Sequence, residues 1–234
     1  MSQTGKKNLV ITSIALYFTY FIHGIGASIM GQYKPELAAH WGAKALSDGT
    51  MDVSMVVSVI AALGLGRLIS LPFSGPLSDK FGRRLSGIIG VICYAAYFMG
   101  IAFAPSMGVA YAFAIVGGIA NSFLDTGIYP AVSEIIYKAP GVATMGIKFF
   151  IAIAQMILPF VLGATVATTA AGLTSYNMLF YICGIAYIVL LVLVMIFPLP
   201  DADQKAAGKK EGLIDSLKHT HFSIESVAMI LRSE

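Results

Sequence analysis

Three charge-bearing side chains lie deep inside long apolar stretches, away from their ends: His23, Arg67 and Asp125. A charge at mid-membrane depth costs at least about 2.5 kcal/mol on insertion scales, so it needs a partner or a wet cavity. Arg67 precedes Gly75 by eight residues, about 12 Å of helix. Asp125 precedes Glu134 by nine, about 13–14 Å. Equal depth predicts an Arg67–Asp125 ion pair. Asn121, Ser122, Asp125 and Tyr129 add a polar stripe to the same run. The stripe exceeds what one arginine needs and favours a cavity-lining site over a purely structural pair. In that reading Asp125 is the group that takes up and releases a proton. His23 shares a helix face with Thr19 and Tyr20. It either hydrogen-bonds a neighbouring helix or serves a polar solute or a proton, which imidazole can carry near neutral pH. Lys148, with Gln155 seven residues on, either snorkels to the interface or attracts an anionic solute. Cys93 and Cys183 sit in apolar runs and read as small core residues.

A second constellation joins two of the apolar runs: Gly75-Pro-Leu-Ser-Asp-Lys-Phe-Gly-Arg-Arg84. It is expected to turn sharply at a membrane surface, with Gly75 and Gly82 allowing the bend and Asp79 capping a helix end. Lys80, Arg83 and Arg84 hold it on the cytoplasmic side. Gly75, Leu77, Asp79, Gly82, Arg83 and Arg84 match every fixed position of the pattern G-x-L-x-D-x-x-G-R-R. Here the chain resembles the major facilitator superfamily, whose signature loop joins the second and third membrane helices. Pro130-Ala-Val-Ser-Glu134 resembles the fourth-helix end of sugar-porter members, while Gly118 to Asp125 resembles the fucose-permease-like group. The two resemblances point to different subfamilies, so neither fixes the substrate. The resemblance implies that Glu134 pairs with the signature arginines, and Asp79 and Glu134 are expected to be the acids of a gate latch with Arg83 and Arg84.

Composition sets the class. The chain is 57% hydrophobic and 12% charged, with mean hydropathy +0.81, about half the charge of a soluble domain. Its cations cluster in short loops beside apolar runs, so the net charge of +3 is no sign of nucleic acid. Six runs are long enough to span, near Asn8–Gly31, Met51–Phe73, Ser86–Ala104, Met107–Tyr137, Met145–Ala170 and Tyr176–Phe197. The first is too long for a signal peptide core and is expected to be retained. Tyr33, His40 and Trp41 fall by the outer interface, where aromatics anchor spans. Lys6, Lys7, Lys80, Arg83, Arg84, Lys138 and the lysines beyond residue 200 fall on one side; Lys34 and Lys44 fall on the other. The positive-inside rule then places both termini in the cytoplasm.

The expected architecture is an all-α membrane protein with six transmembrane helices, the N-terminal half of the superfamily fold. Residues 1–200 form the membrane domain, and 201–234 form a basic cytoplasmic connector with an amphipathic tail. Ile92–Tyr97 echoes Ile182–Tyr187, and Leu71-Pro-Phe73 echoes Leu158-Pro-Phe160, as a 3+3 inverted repeat would. Pro72 is expected to end its span. The resemblance covers Asn8 to about Pro200, with no counterpart of the second six-helix half. The function expected is transmembrane transport of a small polar or anionic organic solute through a lipid bilayer. It is expected to be proton-coupled and completed by a C-terminal half or a second copy. The alternative is a truncated or scaffold membrane protein without transport. No nucleophile constellation, metal-ligand cluster or phosphate loop occurs in the sequence, so no enzyme, metal, cofactor or nucleic-acid partner is expected.

Overall fold

Every apolar run becomes a helix, because in lipid the backbone must satisfy its own polar groups. The computed structural model describes residues 3–170 and 177–196, and these form α1 (Gln3–Gln32), α2 (Lys34–His40), α3 (Ser54–Phe81), α4 (Arg83–Phe103), α5 (Met107–Ile135), α6 (Pro140–Ala170) and α7 (Met178–Ile196). Five of them are long and apolar enough to cross a membrane: α1 from Ile11, α3, α4, α5 and α6 up to Ala164. The sixth expected span appears as α7, whose apolar stretch Met178–Leu190 is shorter. The expected connector at 201–234 lies outside the described residues.

α5 is the central element, packed against α3 on one side and α4 on the other. α4 also packs on α7, and α1 packs on α6. With no hydrophobic drive between helices in lipid, close packing rests on small residues. Ala110, Ala114 and Gly118 are buried along α5, and a Cβ on Gly118 would collide with the Leu63 carbonyl of α3. Gly66 meets Ile115 of α5 in the same way, so the α3 and α5 backbones touch. Gly24 makes the matching approach of α1 to α6, where a Cβ would lie 2.8 Å from the Ile151 carbonyl. Cys183 is buried and Cys93 partly so, both as free thiols.

The signature stretch differs from its expected form. Residues 75–81 are not a loop: α3 runs through Pro72 and Pro76 to Phe81, a prolongation that membrane helices tolerate. Gly75 is helical, with open space where a Cβ would go. Gly82 alone makes the turn, at φ 90 and ψ 152, and α4 starts at the next residue. Asp79 therefore caps no helix and lies exposed in the last turn of α3.

At the other end, α2 is a helix with no counterpart among the expected spans. Pro35 stands at its start, where a missing amide costs nothing. Beyond it, Ala45 and Met51 form an antiparallel bridge, closed by Asp48 accepting the Thr50 amide at 3.0 Å and hydroxyl at 2.7 Å. Those two donors hold the Asp48 carboxyl below its ordinary value. Asp52 accepts the Ser54 amide at 2.9 Å and starts α3. Tyr33 and Trp41 are buried rather than displayed to lipid. Trp41 Nε1 and His40 Nε2 lie 3.3 and 3.2 Å from the Ala104 carbonyl at the end of α4. His40 and Trp41 thus tie the end of α2 to the α4–α5 junction, and the Tyr33 ring stands 6.4 Å from Phe180 of α7.

Candidate functional site

The polar side chains of the spans gather between α1, α3, α4 and α5. Helical spacing puts Asn121, Asp125 and Tyr129 on one face of α5, and α1 brings Tyr20 and His23 opposite them. Arg67 Nη2 of α3 lies 2.7 Å from Asp125 Oδ2. Tyr20 donates to the other carboxylate oxygen at 2.6 Å, so both oxygens of Asp125 are engaged by different helices. The side chains are 49% and 24% exposed for Arg67 and Asp125, so this pair is not sealed inside the bundle.

One helical turn away a second network forms. Tyr94 of α4 donates to Asn121 Oδ1 at 2.5 Å, and its oxygen lies 2.8 Å from His23 Nδ1. Tyr187 of α7 stacks on the Tyr94 ring at 4.9 Å and donates to the Thr19 carbonyl at 3.1 Å. The rings of Tyr20 and His23, and those of Tyr20 and Tyr129, stand 5.3 Å apart. Lys148 of α6 closes the row, with Nζ 5.1 Å from the centre of the Tyr129 ring, a cation–π distance.

The charges sum simply. Arg67 and Asp125 neutralise each other, whereas Lys148 has no acid within ion-pair distance among the described residues. The cluster thus offers a cation at Lys148, hydrogen-bonding groups along the tyrosines and His23, and a carboxylate at Asp125.

Not every expected site residue joins. Ser122 is buried in the α3–α5 seam, where it donates to the Arg67 carbonyl at 3.1 Å and accepts from Ser70 at 2.7 Å. It is a packing contact and not part of a cavity stripe. Gln155 is exposed on α6 and has no hydrogen bond among the described residues. Three members were missed by sequence reasoning: Tyr94 and Tyr187 as site residues, and Tyr20 as a partner of Asp125. The signal for Tyr20 was its place three residues before His23.

At the α3–α4 turn, Arg83 and Glu134 form an ion pair through Nη1 and Oε2. Two serines fasten the same corner to α5. Ser78 donates to the Thr126 carbonyl at 3.1 Å, and Ser86 donates to the Phe123 carbonyl at 2.9 Å. Lys80 lies 5.4 Å from the centre of the Phe81 ring. Asp79 forms no ion pair among the described residues, and Arg84 is exposed. Leu77 is half-buried.

The family model described as Major Facilitator Superfamily matches residues 16–233. The chain is 40% identical over 155 residues to the inner membrane transport protein YdiM of Escherichia coli, covering 66% of this chain and 36% of that one. It is 39% identical over 150 residues to YdiN of the same organism, covering 64% and 34%. To the Bacillus subtilis protein named uncharacterized MFS-type transporter YfkL it is 28% identical over 222 residues, 94% of this chain and 53% of that one. The chain thus spans between a third and about half the length of these curated relatives. Packed apolar helices, a glycine-turned basic corner and a match over nearly all its length identify one lineage: the chain belongs to the major facilitator superfamily.

Proposed function

We propose that this chain is the N-terminal half of a proton-coupled secondary transporter for a small polar or anionic organic solute. In this reading it sits in the cell membrane with both termini cytoplasmic. A second six-helix half, from another polypeptide or a second copy of this chain, completes it. The observation that carries the reading is the partly open Tyr20–Asp125–Arg67 network among apolar helices. A purely structural ion pair gains nothing from exposure, whereas a carboxylate that trades a proton needs access to water. Asp125 carries the coupling proton, and Arg67 and Tyr20 hold its two carboxylate oxygens in place. Lys148 supplies the unneutralised cation for an anionic solute. The Arg83–Glu134 pair acts as a latch that holds one gate state. Two curated relatives bear the name inner membrane transport protein, which supports transport without naming a solute.

The test is uptake by proteoliposomes that contain this chain and a completing half. Asp125→Asn is expected to keep solute exchange and lose accumulation driven by a pH gradient. Accumulation as steep as the parent's, with pH as the only driving force, would show that Asp125 is structural. Glu134→Gln is expected to change the accessibility of positions near the α3–α4 turn while leaving insertion intact. Unchanged accessibility would rule out the latch.

A further inference from the structure

The hydroxyl of Tyr94 has one proton and two close partners, Asn121 Oδ1 at 2.5 Å and His23 Nδ1 at 2.8 Å. The shorter contact decides where that proton goes. At 2.5 Å the separation suits O–H···O and is too short for N–H···O, so Tyr94 donates to the amide oxygen. With its only proton committed, the Tyr94 oxygen can bond His23 only as an acceptor. His23 must then carry hydrogen on Nδ1. In the neutral ring this leaves Nε2 as a bare lone pair. Nε2 has no hydrogen bond among the described residues, and it is not among the buried polar atoms left unpaired there. The half-buried ring, beside Tyr20 at 5.3 Å, therefore leaves Nε2 as an acceptor without a protein partner among the described residues.

From this geometry we infer that Tyr94 and Asn121 fix the tautomer of His23 so that Nε2 accepts a hydrogen bond from the solute. The substrate class is an organic anion that also bears a hydroxyl or N–H donor. The anionic part of this statement rests on the reading of Lys148 given above. The donor part rests on the hydrogen-bond order alone. A solute lacking the donor would leave Nε2 without a partner once water is expelled, which is how a built hydrogen-bonding site rejects an analogue. Tyr187, stacked behind Tyr94, keeps the phenol ring in place and acts as a positioning residue.

The test uses the 234-residue chain in lipid bilayers, 15N-labelled at histidine, with His23 assigned as the resonance pair missing from His23→Phe. The expected spectrum shows Nδ1 with a protonated-type shift and Nε2 with an unprotonated-type shift. Asn121→Ala frees the Tyr94 hydroxyl to donate to Nδ1, and the His23 proton is expected to move to Nε2. A parent spectrum with the proton on Nε2, or a proton unmoved in Asn121→Ala, overturns the tautomer assignment.

Benzoate and its three monohydroxy isomers then probe the site. At least one hydroxy isomer is expected to bind about tenfold more tightly than benzoate and to shift the Nε2 resonance, and His23→Phe is expected to erase that advantage. Equal binding of all four in the parent overturns the acceptor role. Benzoate affinity unchanged in Lys148→Met counts against the anionic reading and leaves the tautomer result standing.

Discussion

Asp125 is held from two helices at once, by Arg67 of α3 and Tyr20 of α1. Removing one partner of such a pair strands the other charge, whereas removing both leaves no stranded charge and costs only a packing change and the Tyr20 hydroxyl's acceptor. Arg67→Met alone is expected to lower stability by about 1–3 kcal/mol, less than an enclosed pair would lose because Arg67 is half exposed. Arg67→Met combined with Asp125→Leu is expected to recover most of that loss, measured by unfolding in mixed micelles. A double variant no better than the single would mean that Asp125 is not stranded by the first change. The pair was legible in the sequence because helical rise converts residue spacing into depth. Ser122 was misread because adjacent residues on a helix point about 100° apart: Asn121, Asp125 and Tyr129 share a face, and Ser122 turns into the α3–α5 seam. Tyr94 was not legible, since which α4 face meets α5 is decided by packing at Gly90 and Leu124.

Helix ends were less legible than helix centres. The apolar runs mark the membrane-crossing portions, but α3 continues through two prolines and polar residues to Phe81, where no apolar signal remains to show it. The two signature glycines consequently have different work. Gly82 adopts a backbone conformation reserved for glycine, so Gly82→Ala is expected to cost about 1–3 kcal/mol and to weaken the Arg83–Glu134 corner. Gly75 is helical with space for a methyl group, and Gly75→Ala is expected to be neutral or mildly stabilising. Thermal unfolding of the two variants in detergent reads the contrast, and equal losses would contradict the single-residue turn. At the α3–α5 seam, Gly118→Ala is expected to be worse than either, because the obstructing atom is the Leu63 carbonyl of a backbone.

For the molecule as a whole, the α2 end and the α3–α4 turn lie on opposite faces of the bundle, and orientation follows from where the cations fall. Lys44 and Lys80 are both exposed. An impermeant thiol reagent applied to intact cells is expected to label Lys44→Cys and to spare Lys80→Cys; the reverse pattern would invert the orientation. The central place of α5 also sets a clock on assembly. Its two neighbours, α3 and α4, are made first, share a one-residue turn, and touch each other far less than each touches α5. At roughly 5–20 residues per second, synthesis of the 29 residues of α5 takes about 1.5–6 s. Throughout that interval Gly66 lacks its α5 contact, and Ser70 and Ser86 lack their hydrogen-bond partners on that helix. The vulnerable moment for this protein thus falls during translation, when a slowed ribosome prolongs the exposure of an unfinished hairpin.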